Sequence, residues 1–263
     1  MNKDISSSLF AVIGVPRSGT TLLCNIINSF DNSFCLSEPH WSKILSPKGF
    51  RLDKLAGAFK FESTNGLMGD LKSFMDNSEY SWGGVKETYR IWQPESITLP
   101  YNSKDLAFIF FIFRDPLSVY NSGKKWGGKY CHMPSFVKNY ISLANDYLIL
   151  KGIDAPAPNL ISGTVAAKSG VVPIGLCYED LCTGGIEYLK KQFLLAGINI
   201  GLEYDGPFRI RATNYVFGDR SANKGGEIGR PVISKNNLTK QEEKILRDKL
   251  YPLYEHLRSL TKC

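Results

Sequence analysis

Three short stretches read as apolar runs: Leu9–Val15, Leu106–Phe113 and Val171–Leu176. Each is rich in β-branched or aromatic residues, the composition of parallel strands covered on both faces. Helical patterns follow them. After Gly19, the apolar positions Leu22, Leu23, Ile26, Ile27 and Phe30 fall on one helical face. After Phe113, Asp115 is a suitable N-cap and Pro116 a suitable first helical residue. After Asp180, the segment Gly185–Ala196 carries Ile186, Leu189 and Phe193 at helical spacing, and a further helix is expected at Ser135–Leu150. The last helix begins at Thr239, which forms a capping box with Glu242. Leu246, Leu250, Leu253, Tyr254 and Leu257 continue it as an apolar stripe, with a kink expected at Pro252. This alternation predicts a single α/β domain over residues 1–263 with a mostly parallel central sheet. Residues 42–84 and the Gly-rich stretch 218–231 are less regular, and such excursions often carry a site's specificity.

Composition narrows the class. With 43% hydrophobic and 12% aromatic residues among 263, the chain is not disordered as a whole. It has no run of eighteen apolar residues, so no membrane-spanning helix is expected. Residues 1–8 lack a basic region followed by an apolar one, so no secretory signal is expected. Cys24, Cys35, Cys131, Cys177, Cys182 and Cys263 include no CxxC pair and no zinc-ligand spacing, which predicts reduced thiols in a cytoplasmic protein. The net charge is +7. From Arg220 onward, ten lysines and arginines face five acids, so this segment holds five of the seven net charges. It is either a solvated basic surface or a contact for a partner with several negative charges. No zinc-finger, RNP or Arg-rich tract points to nucleic acid, so a multiply charged small molecule is the favoured partner.

The strongest chemical signal is Gly14-Val15-Pro16-Arg17-Ser18-Gly19-Thr20-Thr21, between the first strand and the first helix. Backbone N–H groups and a helix N-terminus make a seat for an anion there. The glycine spacing fits the ATP-type loop GxxxxGK[ST], but Thr20 stands where that loop has its lysine, and Arg17 supplies a cation inside the loop. The anion seat is kept and the grip on a triphosphate is lost. A second anion site is suggested by Arg114 at the end of the second apolar run, with Ser122 eight residues later; Arg114 could equally pair with Asp115 or a helix terminus.

Together these motifs resemble the PAPS-dependent sulfotransferases. The family's 5′-phosphosulfate loop, P-[RK]-S-G-T-T, is matched by Pro16–Thr21. Its 3′-phosphate motif, R-[DN]-x(6)-S, is matched by Arg114, Asp115 and Ser122. Tyr178-Glu179-Asp180-Leu181 is similar to the family's Y-E-D-[LM], whose tyrosine contacts adenine, and Lys86 resembles the lysine of its K-T-P or K-T-H segment. The resemblance implies a three-layer α/β/α domain of the P-loop nucleoside-triphosphatase type and sulfuryl transfer from PAPS to a hydroxyl or amine, with PAP as product and no metal. It implies that Arg17, Ser18, Gly19, Thr20, Thr21, Arg114, Ser122 and Tyr178 bind the nucleotide. Arg220 and Lys224 are candidates for a loop covering the 3′-phosphate, as residues 42–84 are for shaping the acceptor site.

In-line transfer needs cations at the developing charge and a base for the acceptor's proton. Arg17, Thr20, Thr21 and Lys86 suit the first task. Glu38 is the first choice of base, because it stands twenty-one residues after Arg17, the spacing of the catalytic glutamate in the tyrosylprotein branch. His40 and Glu87 are its rivals, since Thr88 occupies the position of the K-T-H histidine. The acceptor is open: a metabolite, lipid, glycan or peptide fits. The alternatives are a P-loop kinase or nucleotide-binding protein with an altered loop, and a non-catalytic binder of a nucleotide or acidic polymer.

Overall fold

The computed structural model describes residues 8–30, 33–37, 66–78, 80–88, 106–125, 132–155, 171–196 and 237–262. Five strands form one sheet: β1 (Ser8–Gly14), β2 (Ser33–Ser37), β3 (Trp82–Thr88), β4 (Leu106–Phe113) and β5 (Val172–Cys177). Their order is β2-β3-β1-β4-β5, and every pair is parallel. The helices are α1 (Thr20–Ile27), α2 (Gly66–Asp76), α3 (Pro116–Lys124), α4 (Met133–Leu150), α5 (Tyr178–Leu195), α6 (Lys240–Lys249) and α7 (Tyr251–Thr261).

β1 lies at the centre, paired to β3 on one side and β4 on the other. Leu9 to Ile13 are wholly buried, because both faces of the strand are covered. On one face, Phe10, Phe108 and Phe110 meet Leu23, Ile26 and Ile27 of α1 and Leu189 and Phe193 of α5. Trp82 closes this cluster edge-on to Phe10, Phe108 and Phe193. On the other face, Leu9, Ala11, Phe111 and Phe113 pack against Tyr140, Leu143 and Tyr147 of α4 and Leu246, Tyr254 and Leu257 of the C-terminal helices. These two cores, one on each side of the sheet, make the expected three-layer α/β/α arrangement.

Several boundaries differ from the sequence expectation. The stretch 42–84, read as irregular, contains α2 and the start of β3. β3 is buried throughout despite its sequence WGGVKET. Its glycines are there because aromatic neighbours leave no room: a Cβ on Gly84 would strike the Phe10 carbonyl oxygen and ring, and one on Gly83 the Phe34 ring. The helix expected from Gly185 begins instead at Tyr178, and Gly185 (φ 55°) is a kink within it. The C-terminal stripe is two helices, broken at Leu250 rather than at Pro252, which lies in the first turn of α7. There the missing N–H of proline removes no helical hydrogen bond.

Asp115 caps α3, accepting from the N–H groups of Leu117 and Ser118 at 2.7 and 3.3 Å. The Thr239–Glu242 capping box is complete. No described helix is long and apolar enough to cross a membrane. Among the described residues, Cys24, Cys35, Cys177 and Cys182 are buried thiols outside any disulfide.

Candidate active site

A parallel sheet brings all its strand C-termini to one edge. The chain leaves β1 towards β2 and leaves β4 towards β5, so the crevice between the ends of β1 and β4 is where the connections diverge. Ligands of open α/β sheets bind at such a point. The loop 15–19 and the residues Arg114 and Asp115 meet there.

The loop is held in an unusual backbone shape. Arg17 (φ 74°) and Gly19 (φ 106°) both adopt left-handed conformations. For Arg17 that is uncommon, and such strain concentrates at ligand sites. Ser18 N–H closes a turn onto the Val15 carbonyl at 3.1 Å. Ser18 and Thr20 fold back over Gly14, where a Cβ would meet the Ser18 hydroxyl and lie 2.7–2.8 Å from Ile112 and Thr20. Gly19 is the N-cap of α1 and makes no side-chain cap. The first-turn N–H groups therefore point out of the helix with the positive end of its dipole behind them. The Ser18 Oγ is buried without a hydrogen-bond partner in the structure. A phosphate or sulfate oxygen would satisfy it.

The second motif touches the first. Arg17 Nε donates to Ser122 Oγ on α3 at 3.1 Å, across 105 positions of sequence. Arg114 Nη1 donates to the Arg17 carbonyl at 3.0 Å, and its guanidinium lies 4.2 Å from the centre of the Tyr178 ring. Arg114 does not turn to Asp115, which is engaged in capping α3. Tyr140 donates its O–H to the Arg114 carbonyl at 2.8 Å. Arg114 Nε is buried and makes no hydrogen bond. The Tyr178 ring lies directly against the Gly19 Cα. Burial pushes the Tyr178 phenol up to about 12, against the pull of Arg114. It stays neutral.

Lys86 sits one strand away. It pairs in register with Val12 of β1 and Ser37 of β2, and only 2% of its surface is exposed. Burial raises the Cys35 thiol well above its ordinary value, and Lys86 counteracts part of that rise. Its register partner Val12 belongs to the core on the α1 side, so the lysine lies on that side of the sheet, and Glu87, its neighbour in the strand, faces the opposite layer. Thr88 pairs with Gly14 at the start of the loop. Glu38, the residue after β2, lies outside the described residues, as do His40, Arg220 and Lys224.

Glu179 was not among the expected site residues. Its Oε1 accepts the Asp115 N–H at 3.1 Å, and its Oε2 accepts from the Tyr254 hydroxyl at 2.9 Å. Its place beside Tyr178 in the Y-E-D-L segment was the available signal. The next residue, Asp180, holds Arg258 of α7 by two hydrogen bonds of 2.8 and 3.3 Å. Among the described residues no group of three or more His, Cys, Asp or Glu could hold a metal ion.

No protein-family model matches the chain, and no curated protein matches it. Among solved structures, it is similar to a mouse sulfotransferase complexed with PAP, at 13% identity and TM-score 0.45, over 98% of this chain and 90% of that one. It is similar to a sulfotransferase from Alicyclobacillus acidocaldarius, at 12% identity and TM-score 0.46, over 96% and 94% of the two chains. It is also similar to the sulfotransferase domain of the Synechococcus PCC 7002 olefin synthase, at 12% identity and TM-score 0.44, over 76% and 77%.

Proposed function

We propose that the protein is a sulfotransferase that moves the sulfuryl group of PAPS to a hydroxyl or amine acceptor. One observation carries the reading: the loop 14–21, Arg114, Ser122 and Tyr178, far apart in sequence, converge at one crevice. The arrangement suits a ligand with two separate anionic groups and an aromatic base. The loop N–H groups, with Ser18, Thr20 and Thr21, take the 5′-phosphosulfate. Arg114, with Ser122, takes the 3′-phosphate, and Tyr178 packs against adenine. Arg220 and Lys224 add positive charge over the 3′-phosphate.

The reaction asks little covalent chemistry of the protein. The acceptor oxygen or nitrogen attacks sulfur in line with the bond to the 5′-phosphate. That S–O bond breaks, its electron pair passes to the phosphate oxygen, and the acceptor proton goes to Glu38. Arg17 and Lys86 stabilise charge as it builds on the leaving oxygen, and such preorganised cations act strongly where water is excluded. Thr20 in place of the loop lysine is consistent with a donor that is not a metal-bound triphosphate.

Isothermal titration with PAP, AMP and ADP, run without metal, tests the reading. PAP is expected to bind at least roughly tenfold tighter than AMP, the scale of one charge-assisted hydrogen bond at the 3′-phosphate. Arg17→Ala is expected to weaken PAP binding. No preference for the 3′-phosphate, or ADP binding that appears only with magnesium, would return the loop to the kinase class.

A further inference from the structure

Arg114 and Tyr178 follow different strands, β4 and β5, and their stacking depends on how those strands end. The ladder between β4 and β5 closes with Phe113 opposite Cys177. Both site residues therefore lie one position beyond the last paired residues, where backbone pairing no longer fixes their separation. Glu179 continues the connection. Its Oε1 takes the Asp115 N–H at 3.1 Å, so the peptide that follows Arg114 is tied to the residue that follows Tyr178. Its Oε2 takes hydrogen bonds from the Tyr254 hydroxyl at 2.9 Å and the Cys177 thiol at 3.2 Å. These two donors orient the carboxylate, because together they occupy the oxygen that does not face Asp115.

We propose that Glu179 is a positioning residue for the nucleotide: it holds the ends of β4 and β5 at the spacing where Arg114 and Tyr178 form one binding face. This rests on the nucleotide reading above. Glu179 acts through Arg114, with Tyr254 of α7 as its outer support.

The test is a set of PAP titrations on the full chain, each at a temperature where thermal melting shows the variant folded. Glu179→Ala is expected to weaken PAP binding about tenfold, the worth of a charge-assisted hydrogen bond. Glu179→Gln keeps an oxygen for the Asp115 N–H and is expected to restore most of that loss. Tyr254→Phe, which touches no part of the nucleotide site, is expected to fall between them. In an Arg114→Ala background, Glu179→Ala is expected to add little, since its effect passes through the missing side chain. Losses that multiply in the double variant, or an unchanged affinity in Glu179→Ala, would overturn the positioning role while leaving the nucleotide reading intact. A wild-type protein that binds PAP no better than AMP would overturn both. Should Glu179→Ala not fold, the same cycle between Tyr254→Phe and Arg114→Ala decides the question.

Discussion

A single methyl group separates the observed shape of the loop 15–19 from a distorted one at Gly19. Its φ of 106° is a conformation that side chains rarely adopt, and the Tyr178 ring occupies the place of a Cβ. Gly19→Ala carries both a backbone cost of about 1–3 kcal/mol and a displaced tyrosine. A fall in melting temperature of about 2–4 °C per kcal/mol is expected, together with weaker PAP binding, measured by thermal unfolding and titration. Glu38 carries a different kind of expectation. Replacing it with glutamine removes the proposed base and leaves the nucleotide contacts alone. PAP affinity is expected to hold while transfer slows at least ~100-fold, the low end for loss of a general base. A fully active Glu38→Gln enzyme would move the base to His40 or Glu87. At this scale much of the crevice is legible in the sequence, because a glycine-bounded loop between a strand and a helix has few alternatives. The Arg17–Ser122 contact and the Glu179 bridge are not legible in the same way, since they join residues whose proximity exists only after the sheet has formed.

Elements were readable where one physical signal dominated. β1 and β4 are unbroken apolar runs buried on both faces, and the capping box announces α6. β3 was hidden because its glycines make room for Phe10 and Phe34, while Lys86 and Glu87 are charges that a fully buried strand does not normally contain. The start of α5 was hidden by two glycines, one of which does kink the helix. The junction of α3 and α6 is testable in its own right. Glu242 accepts from Lys124 of α3 at 2.8 and 3.1 Å and from the Thr239 N–H at 2.7 Å. The Lys124 hydrogen bond, with the cap, holds its carboxyl below the ordinary value of 4.5. A lowered folded value means that this stabilisation is complete above about pH 4.5 and is lost as the pH falls further. Glu242→Gln is expected to flatten that part of the acid-unfolding curve. Thr239→Ala, which removes the cap alone, is expected to cost about 1 kcal/mol at neutral pH, read by denaturant titration.

At the scale of the molecule, the order of the strands decides where chemistry can happen. β1 in the middle of an all-parallel sheet places its loop beside the end of β4, and β5 on the far side of β4 brings Tyr178 within reach. The C-terminal helices close the arrangement from behind. α7 supplies Tyr254 to Glu179 and Arg258 to Asp180, and the Thr261 carbonyl accepts from Gln192 of α5 at 2.7 Å. β4 itself is eight residues without a charge, LAFIFFIF, and the fold gives it a partner strand on each edge and helices over both faces. A chain still on the ribosome lacks part of that shelter. Until β5 has been synthesised, one edge of β4 stays bare, and its composition is that of a segment prone to self-assembly. Recovery of intact protein from a cell is therefore expected to depend on chaperone supply and on growth temperature, quantities that a melting curve of the finished molecule does not measure.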